Sequence, residues 1–312
     1  MTDKLSGVAI VGIAARFPGA VNYHAFWNNL CRGVNSITEI PRDRWDTSLH
    51  SLSGQQLNEA PELPAKWCGV VEGVELFDNR AFNVSAREAS NMDPQQRLLL
   101  EETWHCIEDS GIPINELTEA RTAVFIGAMT NDYQQNLIQH NLPVDYYSTL
   151  GNYDCILANR ISHYFGFKGS SLTIDTACAS SLTALHLAKA SILAGEHDYA
   201  IVGGVNLNLH PWKYLSFSKA RMLSPDGQCK TFDRHANGYV PGDGVGVVLL
   251  QSLESAKKSR SNIYANIRGS ASSHCGGGIS ITAPSVKAQR DCIETAYTDA
   301  GINANSTSYV EM

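Results

Sequence analysis

Residues 172–205 constrain the fold of this chain more than any other segment. Leu172 and Ile174 alternate with polar residues in a strand ending near Ala177. Residues 179–194 follow as a helix closed by Gly195, and Tyr199 to Val205 returns as a strand through Gly203-Gly204. This is a βαβ unit, whose strands run parallel with a right-handed crossover. Leu182, Leu185, Leu187, Ala188, Ile192 and Leu193 cover most of the helix girth, and Thr183, His186 and Lys189 leave only a narrow polar stripe. A helix of that kind is buried on nearly all sides. The expectation is an α/β fold with a sheet on both faces of this helix.

The rest of the chain alternates strands and helices in the same way. Val8 to Ile13 reads as a strand closed by the Pro18-Gly19 turn, and His24 to Cys31 as a helix carrying Phe26, Trp27 and Leu30. Residues 46–66, rich in Ser, Gln, Pro and Glu, read as an exposed insertion. Asp93 caps a helix that has Pro94 at its first position, Leu98, Leu99, Trp104 and Ile107 on its buried side, and Gly111 at its end. Thr122–Ile126 is a strand and 152–165 a helix. Residues 206–244 read as irregular, Gly246–Leu250 and Ile263–Ile267 as strands, Val286–Ala300 as a helix, and Ser308–Met312 as the start of a strand.

Composition narrows the function classes. With 312 residues, 43% of them hydrophobic and 18% charged, the chain has room for one large core or two half-sized ones. A net charge of -7 argues against nucleic acid as the main partner. No apolar stretch is long enough to span a membrane, and polar Met1–Ser6 lacks the pattern of a secretory signal, which gives a cytoplasmic reading. The eight cysteines include no C-x-x-C pair, so neither a metal site nor a redox pair is expected. Gly12–Gly19 lacks the Lys-Ser/Thr of a P-loop, and Gly242–Gly246 precedes a strand where a dinucleotide fingerprint follows one. Gly276-Gly277-Gly278 reads as a turn. No cofactor is expected.

Cys178 is the candidate nucleophile. It lies in Asp175-Thr176-Ala177-Cys178-Ala179-Ser180-Ser181 at the helix N-terminus, where unpaired backbone N–H groups and the helix dipole favour the thiolate. The small neighbours permit a sharp turn and close approach of a substrate. The geometry parallels the nucleophile elbow of serine hydrolases, in which the residue after the nucleophile helps to hold an oxyanion. On residue chemistry alone a buried structural cysteine is an equal reading, since no base stands beside it in sequence.

A resemblance separates the two readings. Asp175-Thr176-Ala177-Cys178-Ala179-Ser180-Ser181-Leu182 resembles the active-site motif of β-ketoacyl synthases, whose usual form has Ser in place of Ala179. Val8–Gly19, Met92–Arg97, Ala158–Ser162, Met222–Gly227 and Gly238–Gly244 resemble further segments of that family in the same order. Together they look most like condensing domains of modular bacterial polyketide synthases. The resemblance implies a thiolase-like fold, layered α-β-α-β-α, usually dimeric, with residues 152–177 at the dimer interface. It divides the chain into an N-terminal half, 1–252, and the beginning of a C-terminal half, 253–312.

The resemblance also implies a reaction. Cys178 takes an acyl chain from the phosphopantetheine thioester of an acyl carrier protein. A malonyl-type extender then loses carbon dioxide and attacks the acyl-cysteine. The family uses two further histidines, the first in a His-Gly-Thr-Gly-Thr motif, and a Gly-Phe-Gly-Gly loop. Tyr309-Val310-Glu311 matches the lead-in to the first motif, and Met312 follows. None of the ten histidines has the required context, and His186 and His274 receive no role. Three readings follow: part of an ordinary synthase, the first segment of a split synthase completed by a C-terminal partner, or a carrier-binding module that does not condense. Lys213, Lys219, Arg221, Lys230 and Arg234 outnumber Asp226 and Asp233 between His210 and His235, a charge balance suited to an acidic carrier protein. Met129 and Met222 are candidate pocket walls.

Overall fold

The computed structural model describes residues 7–45, 65–277 and 280–311. The first half of the chain runs β1 (Val8–Arg16), α1 (Tyr23–Cys31), β2 (Ile37–Glu39), β3 (Trp67–Gly69), α2 (Ala86–Asn91), α3 (Pro94–Ser110), α4 (Ile114–Glu119) and β4 (Thr122–Gly127). It continues with α5 (Asp132–Gln139), α6 (Tyr146–Asn152), α7 (Cys155–Phe165), β5 (Ser171–Ile174), α8 (Ser180–Leu193) and β6 (Tyr199–Asn206). The last elements are α9 (Pro211–Lys219), β7 (Gly244–Ser252), α10 (Leu253–Ser259), β8 (Ala265–Ile267) and α11 (Val286–Ala300).

Six strands form one mixed sheet in the order β5-β4-β6-β7-β1-β8. Strand β4 lies between β5 and β6 and runs parallel to both. The βαβ strands are therefore parallel as expected, but the crossover passes over one intervening strand. The β6–β7, β7–β1 and β1–β8 pairs are antiparallel. All six β4 residues are buried, since helices cover both faces of the sheet. Period-two alternation sends Val124 and Ile126 into the cluster with Leu98, Leu99 and Ile161 from α3 and α7. Ala123 and Phe125 point the other way, against Ala184, Ala188 and Ile192 of α8. The result is an α-β-α sandwich.

Helix α3 starts as its sequence dictates. Asp93 Oδ1 accepts the Gln95 N–H at 2.8 Å, Pro94 occupies the first turn, and Gly111 ends the helix in the left-handed conformation. Trp104, expected on the buried side, is instead exposed at the helix surface, where it meets Phe82, Tyr164 and Phe165. Its side chain lies beyond the arc that Leu98, Leu99 and Ile107 press on the sheet.

Three more expectations change. Helix α8 buries one face only: Leu182 is 70% exposed, and Leu187 and Leu193 are also exposed. Among the described residues one sheet packs on α8, and none covers its opposite face. Lys189 leaves the predicted polar stripe and is buried, pairing with Asp299 of α11 at 2.5 Å. Residues 308–311 form no strand, and among the described residues no neighbouring strand offers them a ladder. The irregular stretch 206–244 contains α9, begun by His210 as cap and Pro211 in the first turn. Most of the predicted insertion, residues 46–64, lies outside the described residues, as do Gly278 and Met312; Ala65, at its end, is buried.

The first turn of α8 sits on two glycines. Gly127 and Gly204 face each other across the β4–β6 ladder. A Cβ on Gly127 would lie 2.4 Å from the Ser181 backbone nitrogen, and one on Gly204 would lie 2.8 Å from Ser181 Cβ. Neither strand can carry a side chain there while the helix starts where it does.

Gly127→Ala should therefore lower unfolding free energy by about 1–3 kcal/mol in urea titration, through overpacking against backbone. Leu99→Ala should cost about 2–5 kcal/mol. Leu182→Ala, on the bare face of α8, should stay within about 0.5 kcal/mol. A Leu182→Ala loss matching that of Leu99→Ala would contradict the exposed placement.

Candidate active site

The turn between β5 and α8 is built from its own small polar side chains. Asp175 Oδ1 accepts the Ala177 N–H at 2.8 Å. Ser180 Oγ accepts the Thr176 N–H at 2.9 Å and donates to the Ala177 carbonyl at 2.6 Å. Ala177 takes the left-handed conformation, φ +54°, which a methyl side chain tolerates better than a branched one. These bonds present Cys178 at an exposed corner, two residues ahead of the first residue of α8.

The backbone N–H that the elbow comparison singles out is already occupied. The Ala179 N–H is committed to the Thr176 carbonyl at 3.2 Å, and the Ser180 N–H to Ala177 at 3.1 Å. Among the described residues, the backbone N–H of Cys178 itself has no acceptor. No side chain caps α8, so its first turn also points unpaired donors towards this corner.

Cys178 opens on a cavity of about 490 Å³, in the range of small-ligand pockets. Its walls are apolar where Phe17, Met129, Val205 and Phe217 stand, and polar where Asn206, Asn208 and Lys213 stand. Tyr239 also lines it; burial holds its phenol above the usual range, and the neighbouring Cys178 adds to that. Met129 is thus a wall as expected, whereas Met222 is exposed outside the lining. No histidine lines the cavity among the described residues. His186 bonds the Ser270 hydroxyl at 2.8 Å, and His274 accepts the Gly276 N–H at 2.9 Å.

The cavity wall also includes a buried carboxylate, Asp243, that sequence reading missed. Asp243 accepts the Asn208 N–H at 2.8 Å, the Asn208 side-chain amide at 3.0 Å and the Val71 N–H at 3.2 Å, and it pairs with Arg44 at 3.2 Å. Burial, with Asp243 nearby, pushes the Cys68 thiol up to about 12, and burial also raises the Cys106 thiol well above its usual range. Those two thiols are buried, whereas Cys178 is exposed. Of the expected basic loop, Lys213 is buried and Lys230 is tied to Asp226, which leaves Lys219, Arg221 and Arg234 on the surface.

Comparison with known proteins agrees with this architecture. The β-ketoacyl synthase N-terminal domain model matches residues 6–256, and the β-ketoacyl synthase C-terminal domain model matches residues 264–312. Polyketide synthase ThaG of Burkholderia thailandensis is 43% identical over 304 residues, 97% of this chain and 5% of that protein. Polyketide synthase PksL of Bacillus subtilis is 42% identical over 320 residues, 99% of this chain and 7% of that protein. The ketosynthase from module 6 of the bacillaene synthase of Bacillus subtilis superposes with a TM-score of 0.88 at 40% identity, covering 98% of this chain and 50% of its own. The oxazolomycin ketosynthase domain OzmH KS7 of Streptomyces albus gives 0.88 at 38% identity, covering 95% and 51%. The chain thus spans about half the length of these solved structures and a small part of the curated relatives. A family match over most of the chain and a shared layered fold establish that the protein has the thiolase-like fold and belongs to the β-ketoacyl synthase family.

Proposed function

We propose that Cys178 captures the acyl chain for a polyketide-type β-ketoacyl synthase. One observation carries this reading: an exposed thiol stands on a hydrogen-bonded corner at the mouth of the cavity, beside an unpaired backbone N–H. The Cys178 thiolate attacks the carbonyl carbon of a carrier-protein thioester. Negative charge builds on the carbonyl oxygen, where the Cys178 N–H can receive it. Collapse of that intermediate expels the phosphopantetheine thiolate and leaves the acyl group on Cys178.

Condensation with a malonyl-type extender belongs to the complete synthase domain. The groups that would stabilise the enolate are not among the residues lining this cavity. A complementing C-terminal synthase segment is the proposed source of them. Acyl carrier protein is the proposed partner, with Lys219, Arg221 and Arg234 as surface cations facing its acidic surface. Self-association through residues 152–177 is the proposed dimer contact. A cytoplasmic setting is part of this reading; no helix among the described residues is long and apolar enough to cross a membrane.

Incubation with a hexanoyl N-acetylcysteamine thioester, followed by digestion and mass analysis, tests acyl capture. The adduct should fall on Cys178, and Cys178→Ser should abolish it. Equal labelling of exposed Cys31, Cys155, Cys229 and Cys275, or no labelling, would overturn the reading.

A further inference from the structure

Resting on that reading, the polar end of the same cavity bears on which acyl chains Cys178 receives. Lys213 enters from the first turn of α9 and is buried, yet it lines the cavity. Its ammonium makes one hydrogen bond, 3.3 Å to Asn206 Oδ1. The Asn206 amide is held in that orientation by its Nδ2, which donates to the Gly242 carbonyl at 2.8 Å. An ammonium has three donors, so two remain without a protein acceptor among the described residues.

The neighbouring carboxylates do not take them. Asp132 Oδ2 accepts the Leu209 and His210 N–H groups at 3.1 and 3.3 Å. Asp243 is committed to Asn208, Val71 and Arg44. Both act on Lys213 only through space, and burial still pulls its pKa down. A buried cation with spare donors on the wall of a substrate cavity calls for an acceptor on the ligand. Lys213 and Arg44 already balance Asp132 and Asp243 in charge. A neutral oxygen therefore fits better than a second carboxylate.

We propose that Lys213 is a specificity-determining residue that selects acyl chains carrying a hydroxyl or oxo oxygen along the chain. The apolar walls at Phe17, Met129 and Phe217 hold the hydrocarbon, and the ammonium donates to the oxygen. A site built to hydrogen-bond an oxygen rejects the analogue lacking it more strongly than an apolar wall rejects a missing methylene.

The test is single-turnover loading of Cys178 from N-acetylcysteamine thioesters of one chain length. The series comprises hexanoyl, its hydroxy isomers with the hydroxyl on each carbon from the third to the sixth, 5-oxohexanoyl and the carboxylate-ended adipoyl. At least one hydroxy or oxo chain should load about tenfold or more faster than hexanoyl, a modest part of what such a contact supplies. In Lys213→Met the ratio should collapse towards one. Lys213→Gln, which keeps a donor, should retain part of it, and it serves if the methionine variant does not fold. Equal rates across the wild-type series, a preference that survives Lys213→Met, or adipoyl as the fastest substrate would overturn the proposal. Absence of loading from every thioester would overturn acyl capture itself, whereas equal loading overturns only the selectivity.

Discussion

The contact between the first turn of α8 and the bare backbones of Gly127 and Gly204 is the constraint on which the site depends. Two parallel strands end side by side with no side chain between them, and Ser181 fills the gap. The helix can then start directly above the sheet, and the preceding turn has to climb over the strand ends. Ser180 and Asp175 lock that climb with hydrogen bonds, and Ala177 absorbs the left-handed torsion. Cys178 is carried to the corner as a consequence. Chemistry at the carboxyl ends of parallel strands follows the general rule for α/β sheets.

Much of this was legible in the sequence because it is local. The strand–turn–helix–strand pattern, the Asp93-Pro94 start of α3, its Gly111 end, and the cluster of small residues around Cys178 each fix geometry over a few residues. Long-range pairing was less visible. Nothing local says that β4 separates β5 from β6, or that β7 and β1 run antiparallel beside them. Burial of α8 was overestimated because hydrophobicity states what a helix could bury, not what stands beside it. Lys189 misled for a related reason: its partner, Asp299, lies 110 residues away.

The candidate site divides in the same way. The nucleophile was readable from its neighbours. The polar end of the cavity was not, because Lys213, Asn206 and Asn208 meet only after α9 folds back over β6 and β7. A positive charge in sequence looks like a surface feature, and Lys213 was grouped with Lys219 and Arg221 on that ground. The structure separates them: Lys219 and Arg221 remain on the surface, while Lys213 is buried with its ammonium aimed at Asn206. Buried Cys68 and Cys106, and exposed Cys178, likewise share one residue type and differ through their surroundings.

The central claim is that the corner before α8, and not exposure alone, makes Cys178 the reactive thiol. Timed alkylation with iodoacetamide, quenched and read cysteine by cysteine by mass, tests it most directly. Cys31, Cys155, Cys229 and Cys275 are exposed too, and so serve as internal references. The account predicts that Cys178 reacts faster than all four, with Cys68 and Cys106 last. Alkylation of Cys178 at the pace of those references, or below it, would contradict the account.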